Sequence, residues 1–373
     1  MKKLLFVASG DPFDVGTAGQ SVMKAFLLGM NEAGYDVSYL GFSNTKKLNR
    51  SVNGISLNFI QYKEKKKSIF SLLFKNLTGV EGWLIDKIQL ERFATNHCFD
   101  TVVVWEPTQV FWFRKLFLGT QKKVIFSDPV AARISVTLNQ QAFKYRLLIF
   151  LSRVVEPLFT RWISKFYSEY FIFGSGHSKV FSKILGRRVK SLRPLLFVDQ
   201  AAFKPLGDVL VVTYGGSFES SATRTSLSNI KKIREALVGR DVRFRFQVLG
   251  FGWEKFSDPD IDIVGTVSNF ERTLAETSDI FIFPSNYNVG VRTRIAGALT
   301  AGNLVICSEA QTYNMPELYE FPGVFFVTED NFEEVFTYIS KISPPKILQL
   351  KDENRNLSQK YYSYLNTDSY FGI

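Results

Sequence analysis

The stretch KLLFVASGDPFDVGTAGQSVMKAFLLGMNEAGYDVSYLGF, residues 3–42, sets the fold class. Residues 3–9 form a short apolar run and a glycine-containing turn follows. Val22, Phe26, Leu27 and Met30 then recur at helix spacing until Gly34. DVSYLGF (36–42) reads as a second strand. Strand, helix and strand in this order make a βαβ unit, whose crossover places both strands parallel in one sheet. The pattern continues with SLNFIQY (56–62), TVVVW (101–105), KKVIFSD (122–128) and YFIFGS (170–175). Most of these runs are apolar throughout rather than alternating, as a parallel sheet covered on both faces requires.

The same grammar restarts after RPLLFVDQAAFKP (193–205). DVLVVTYGG (208–216), VRFRFQVLG (242–250, ending in Gly250), IDIVG (261–265), DIFIFP (279–284) and NLVICSE (303–309) read as strands. Helices are predicted near 225–238, 268–277 and 292–301. The chain has 373 residues, too many for one ordinary domain. We therefore expect an α/β chain of two Rossmann-like domains facing across a cleft, divided by a linker at about 187–207. The N-terminal domain is placed at 1–190 and the C-terminal domain at 191–350, with a tail over 351–373 packing back on the first. Ligands of open parallel sheets lie beyond the carboxyl ends of the strands, so the candidate sites are sought there.

Lys and Arg outnumber Asp and Glu, 46 to 35, for a net charge of +11. Hydrophobic residues make up 46% of the chain, aromatic residues 15%, and Phe alone supplies 36, which excludes intrinsic disorder. The counts of 25 Gly and 12 Pro are ordinary and exclude a collagen-like chain. The basic balance points to a polyanion, a phosphorylated ligand or an anionic membrane surface. Two Cys (Cys98, Cys307) and two His (His97, His177) are too few for a disulfide framework or a Cys/His zinc site. The apolar stretch Leu4 to Ala8 is too short for a signal peptide, and acid follows it at once. A cytoplasmic protein is expected, with any membrane contact peripheral.

Three segments carry the candidate chemistry. Gly16-Thr17-Ala18-Gly19-Gln20 joins the first strand to the first helix, where backbone N–H groups and a helix N-terminus favour an anion. Its spacing is not that of a dinucleotide fingerprint. Gly215-Gly216-Ser217 holds the corresponding place in the second half, with Arg224 at the entry to the next helix. The run PSNYNVGVRTRIAGALTAGNLVI (284–306) passes from a strand, through a loop from Ser285 to Val291, into a helix of small residues. Arg292 and Arg294 sit at the start of that helix, where the dipole disfavours cations unless an anion neutralises them.

The last run, together with the glycine turn after the first strand, GYDVSYL (34–40) and IVGTVSNFERTLAETSDIFIFPS (263–285), resembles the GT-B glycosyltransferases, and in the right order along most of the chain. The resemblance implies transfer of a sugar from a nucleotide sugar to an acceptor, in bacterial surface polysaccharide synthesis, with no metal needed. The donor would lie on the C-terminal half, at Gly215, Gly216, Ser217, Arg224 and Gly250 and at Tyr287, Asn288, Val289, Gly290, Val291, Arg292, Thr293 and Arg294. The acceptor, a glycan or lipid-linked glycan, would lie on the N-terminal half, at Gly16 to Gln20. Many retaining members carry Glu-x7-Glu in this segment, the second glutamate holding the donor ribose; here Val289 and Gly297 stand at those positions. That loss keeps open a non-catalytic GT-B-like subunit that binds a partner transferase or glycan. For a general base, the strand-end Asp128 is the first candidate and Glu106, after VVVW, the second.

Two further segments mix basic and bulky apolar residues. KEKKKSIFSLLFKNL (63–77) joins a lysine cluster to aliphatic and aromatic side chains. In FKYRLLIFLSRVVEPLFTRWISKFY (143–167), Arg146, Arg153, Arg161 and Lys165 fall on one helical arc, and Pro157 is expected to kink or divide the helix. Both suit the anionic surface of an inner membrane better than nucleic acid, for which no binding module is present.

Overall fold

A computed structural model describes residues 1–14, 18–45, 47–64, 78, 83–85, 87–126, 128, 143–197, 201–218, 227–228, 230–235, 244–286, 289–328, 330–367 and 369. The chain forms two compact units, one of residues 1–195 and 364–373 and one of residues 196–363.

In the first unit, strands β1 (Lys3–Ser9), β2 (Asp36–Ser43), β3 (Arg50–Val52), β4 (Ile55–Glu64), β5 (Trp83–Ile85), β6 (Thr101–Trp105), β7 (Gln121–Phe126), β8 (Glu169–Phe173) and β9 (Lys190–Leu192) make one nine-stranded sheet. Helices α1 (Ala18–Glu32), α2 (Lys87–Asn96), α3 (Pro107–Phe113), α4 (Phe143–Ser164) and α5 (Ser175–Leu185) connect them. The strand order is β3-β4-β2-β1-β6-β7-β8-β9, with β5 also paired to β4. Pairing is parallel except for the β3–β4 and β4–β5 hairpins. Leu4 to Ala8 of β1 and Val102 to Val104 of β6 are fully buried, as their unbroken apolar sequence requires. The strand read at 122–128 stops at Phe126, so Asp128 stands two residues beyond it. β9, too short and basic to carry an apolar run, falls inside the stretch read as linker. Pro157 lies within α4 without dividing it.

The second unit contains β10 (Leu210–Gly215), β11 (Phe244–Leu249), β12 (Ile261–Gly265), β13 (Ile280–Phe283), β14 (Leu304–Ser308) and β15 (Val324–Val327) in the order β12-β11-β10-β13-β14-β15, all parallel. Helices α6 (Phe270–Thr277), α7 (Thr293–Thr300), α8 (Phe332–Ser340) and α9 (Pro344–Tyr362) belong to it. α9 is bound to the sheet by a buried charge cluster. Asp279 takes Lys204 at 2.6 Å, Lys351 of α9 at 3.3 Å and the Val211 N–H at 2.9 Å, with Asp279 and Lys351 both fully buried. Burial lowers the Lys351 ammonium below its ordinary range, and the Asp279 carboxylate opposes that shift. After α9 the chain returns to the first unit, where residues 364–366 lie against α1.

Each sheet reverses its strand order once, between β1 and β6 in the first unit and between β10 and β13 in the second. At such a reversal the flanking loops part on opposite faces and leave a crevice at the carboxyl edge.

Candidate functional site

At the reversal of the first sheet, Ser9 ends β1 and Glu106 follows β6. The Ser9 hydroxyl donates to Glu106 Oε2, which links the two sides of the reversal. Glu106 has φ 77° and ψ 143°, a conformation that side-chain-bearing residues rarely adopt. After β8 the same junction recurs, and there Gly174 takes φ 92° and ψ 136°. The turn is thus one that glycine makes without strain, and Glu106 holds it at a cost of about 1–3 kcal/mol. Neither residue caps its helix through a side chain, so capping does not explain the glutamate.

A second carboxylate follows the end of β1. Asp11, its side chain fully buried, accepts from Arg50 at 2.7 Å, from Lys47 at 3.4 Å and from the Phe13 N–H at 3.0 Å. The Tyr39 hydroxyl donates to the Gly10 carbonyl at 2.9 Å. Burial, then Glu106 and Asp11, raise the Tyr39 phenol well above its ordinary range, so it remains a donor. Gln20 on α1 donates its amide to the Asp11 carbonyl at 3.1 Å, which brings the turn-and-helix segment and the strand end together. Gln109, in the first turn of α3, is buried with neither amide atom hydrogen-bonded. Gly19 lies in the first turn of α1 and Ala18 begins it; Gly16 and Thr17 lie outside the described residues. Asp128 is half-buried two residues beyond β7, one strand away from the reversal.

At the reversal of the second sheet, the glycines serve close backbone approach. The Gly216 N–H donates to the Leu249 carbonyl at 2.8 Å, and its own carbonyl accepts the indole N–H of buried Trp253 at 2.6 Å. A Cβ at Gly250, which has φ 132°, would stand 2.2 Å from the Gly216 carbonyl oxygen, so no other residue fits. Gly216 therefore spends its N–H on the sheet rather than on a ligand, and Ser217 is the next residue free to approach one. From the other side of the crevice, Arg294 in the first turn of α7 donates to the Gly215 carbonyl. The guanidinium carbons of Arg292 and Arg294 each lie 5.4 Å from the centre of the Phe283 ring, at the end of β13. Among the described residues Arg294 makes no ion pair. Two cations share one aromatic ring at the positive end of a helix, an arrangement that an anion would stabilise.

The loop before α7 is held from the segment after β14. Gln311 donates to the Ser285 carbonyl at 2.7 Å and Asn314 to the Gly290 carbonyl at 3.1 Å. Val289, Gly290, Val291 and Thr293 follow this path, whereas Tyr287, Asn288 and Arg224 lie outside the described residues. Beside α7, Glu271 in the first turn of α6 places Oε1 2.9 Å from where a Cβ of Gly297 would stand. A side chain at 297 would require that carboxylate to move aside. Phe270, its neighbour, covers Gly215, whose Cβ would lie 2.7 Å from the ring.

Sequence reasoning missed Ser9, Asp11, Glu271, Gln311 and Asn314. Only SGDPFD (9–14), acid placed directly after a strand, offered a signal. The spacing Asp258-Pro259-Asp260-Ile261-Asp262 also imitates a metal motif, but Arg234 pairs with Asp258 at 2.7 Å and Asp260 at 3.2 Å, and Arg245 pairs with Asp262. Among the described residues no cluster of three or more His, Cys, Asp or Glu could hold a metal ion.

No protein-family model matches the chain, and no curated protein matches it in sequence. Solved structures match it along its whole length. Sucrose-phosphate synthase from Thermosynechococcus elongatus superposes with a TM-score of 0.70 at 12% identity, over 100% of this chain and 98% of its own. WaaG, a glycosyltransferase involved in lipopolysaccharide biosynthesis, gives 0.63 at 13% identity, over 99% and 100%. Anabaena HepE, in complex with UDP and glucose, gives 0.62 at 12% identity, over 100% and 98%. The fold is GT-B. Within this GT-B chain the residues at the two glutamate positions are a loop valine and a helix glycine, and a carboxylate from the neighbouring helix occupies the space over the glycine.

Proposed function

We propose that this chain is a glycosyltransferase that moves a sugar from a nucleotide-sugar donor to a glycan or lipid-linked glycan acceptor in bacterial surface polysaccharide synthesis. The observation that carries the reading is Arg294, tied to Gly215 across the strand-order reversal of the second sheet and stacked with Arg292 about Phe283. The two guanidinium groups and the N-terminus of α7 would hold the donor diphosphate. They would also stabilise the charge that develops on the leaving nucleotide, the role of pre-placed cations and dipoles in a low-dielectric site. Glu271 would accept hydrogen bonds from the ribose hydroxyls, as acidic residues do in other Rossmann-like halves.

Acceptor chemistry is assigned to the first unit. Glu106 would take the proton from the acceptor hydroxyl, because it is the carboxylate held in a strained turn at the reversal and oriented by Ser9. Asp128 is the alternative base. Release of nucleoside diphosphate from a panel of nucleotide sugars, with and without glycan acceptors, tests the reading. Turnover that Glu106→Gln lowers by about 10²-fold or more, with donor binding kept, supports it. Loss on Asp128→Asn alone would transfer the role to Asp128. Donor binding without any turnover would instead favour a non-catalytic subunit.

A further inference from the structure

Helix α4 turns a row of polar side chains inward beside Ile163 of the core. The side chains it turns inward include Ser152, Glu156, Thr160 and Ser164, all buried and spaced four residues apart. Outward it presents Phe150 at 62% exposure, Val154 at 49%, Leu158 at 60% and Trp162 at 41%, again four apart. Arg153, Arg161 and Lys165 are exposed on the same outer face, interleaved with these apolar side chains rather than opposite them. A soluble surface helix carries its apolar stripe toward the core. Here Phe150, Val154 and Leu158 leave an apolar ridge in water, while Trp162 at its end also packs against Phe111 and Phe166.

We infer that the outer face of α4 is a docking surface for an anionic lipid bilayer. Interleaved cations and apolar side chains fit an interface in which phosphate head groups and acyl chains meet within one layer. Among the described residues no helix is long and apolar enough to cross a membrane, so α4 would lie along the surface. A second copy of the chain fits the face poorly. A two-fold contact would bring the cations of one copy, Arg153, Arg161 and Lys165, close to those of the other, and like charges brought together oppose association. Nucleic acid would use the cations and leave the ridge in water. The surface does not depend on the proposed reaction, so each can fail without the other.

The test is flotation of the full chain with vesicles of phosphatidylglycerol and phosphatidylcholine, and with phosphatidylcholine alone. The chain is expected to float with the anionic vesicles, to stay behind with the neutral ones, and to be released as salt rises. Arg153→Gln with Lys165→Gln should weaken binding about thirty-fold, at about 1 kcal/mol for each cation lost. Phe150→Ser with Leu158→Ser should weaken it about tenfold or more, since buried apolar area is removed while charge is kept. Both pairs are exposed, so their thermal unfolding should match the parent and show that folding is intact. A chain that fails to float with anionic vesicles overturns the inference. So does undiminished binding of the Phe150/Leu158 variant, or a dimer in solution that this variant dissociates.

Discussion

The strained turn at Glu106 makes a prediction that inverts an ordinary rule. At most positions glycine is less stable than alanine by about 0.5–1 kcal/mol, because the unfolded chain gains freedom. At 106 the backbone holds φ 77° and ψ 143°, and the corresponding junction after β8 uses Gly174 at φ 92° and ψ 136°. A side chain in that region costs about 1–3 kcal/mol. Glu106→Gly relieves this strain and Glu106→Ala keeps it, while both remove the carboxylate and its bond to Ser9. Subtracting the entropy of glycine, the glycine variant should exceed the alanine variant by about 0.5–2 kcal/mol. For a unit of this size that is a Tm higher by about 1–8 °C. Glu106→Gln should fall near wild type, since it keeps both the strain and an acceptor for Ser9. Thermal unfolding by circular dichroism, with urea titration as a second measure, reads all three. An alanine variant as stable as the glycine variant would refute the reasoning. The turn would then be unstrained, and the case that a carboxylate is retained there for chemistry would lose its support.

Two further outcomes follow from the second unit. Asp279→Ala leaves the Lys351 ammonium buried without its carboxylate, and should destabilise by about 3–5 kcal/mol, seen as a lower unfolding midpoint in urea. Replacing Lys351 with Met in that variant should recover much of the loss, because no buried charge then remains. Glu271→Ala should weaken binding of a nucleoside diphosphate while leaving its 2′,3′-dideoxy analogue unaffected. Equal losses for both ligands would give Glu271 a packing role over Gly297 instead.

The sequence carried the architecture because parallel sheets write themselves as unbroken apolar runs. Leu4 to Ala8, Val102 to Val104 and Ile280 to Phe283 could be read directly, and the restart at 208 separated the two sheets. The cationic end of α7 was legible too, since Arg292 and Arg294 break the usual charge preference of a helix start. What could not be read is pairing across distance. Ser9 meets Glu106 across 97 positions and Arg50 meets Asp11 across 39, and neither residue carries a local mark of its partner. The strain at Glu106 is equally silent, because VVVWEP reads as an ordinary strand end. Glu271 looked like a normal acidic first-turn residue, and only its placement over Gly297 gives it another meaning. On α4 the basic arc was visible in sequence. Which face turns inward was not, because apolar and basic residues share the outer one and the buried face mixes Ile163 with Ser152, Glu156, Thr160 and Ser164.

The central claim is that the crevice between β10 and β13 binds the diphosphate of a nucleotide through Arg294. Calorimetric titration of UDP, GDP, ADP, CDP and dTDP into the wild-type chain and into Arg294→Ala tests it most directly. One nucleotide should bind the wild type, and the substitution should weaken it about 10–100-fold, the range of a hydrogen bond to a charged group. Absence of binding by every nucleotide, or affinity unchanged by Arg294→Ala, would contradict the claim.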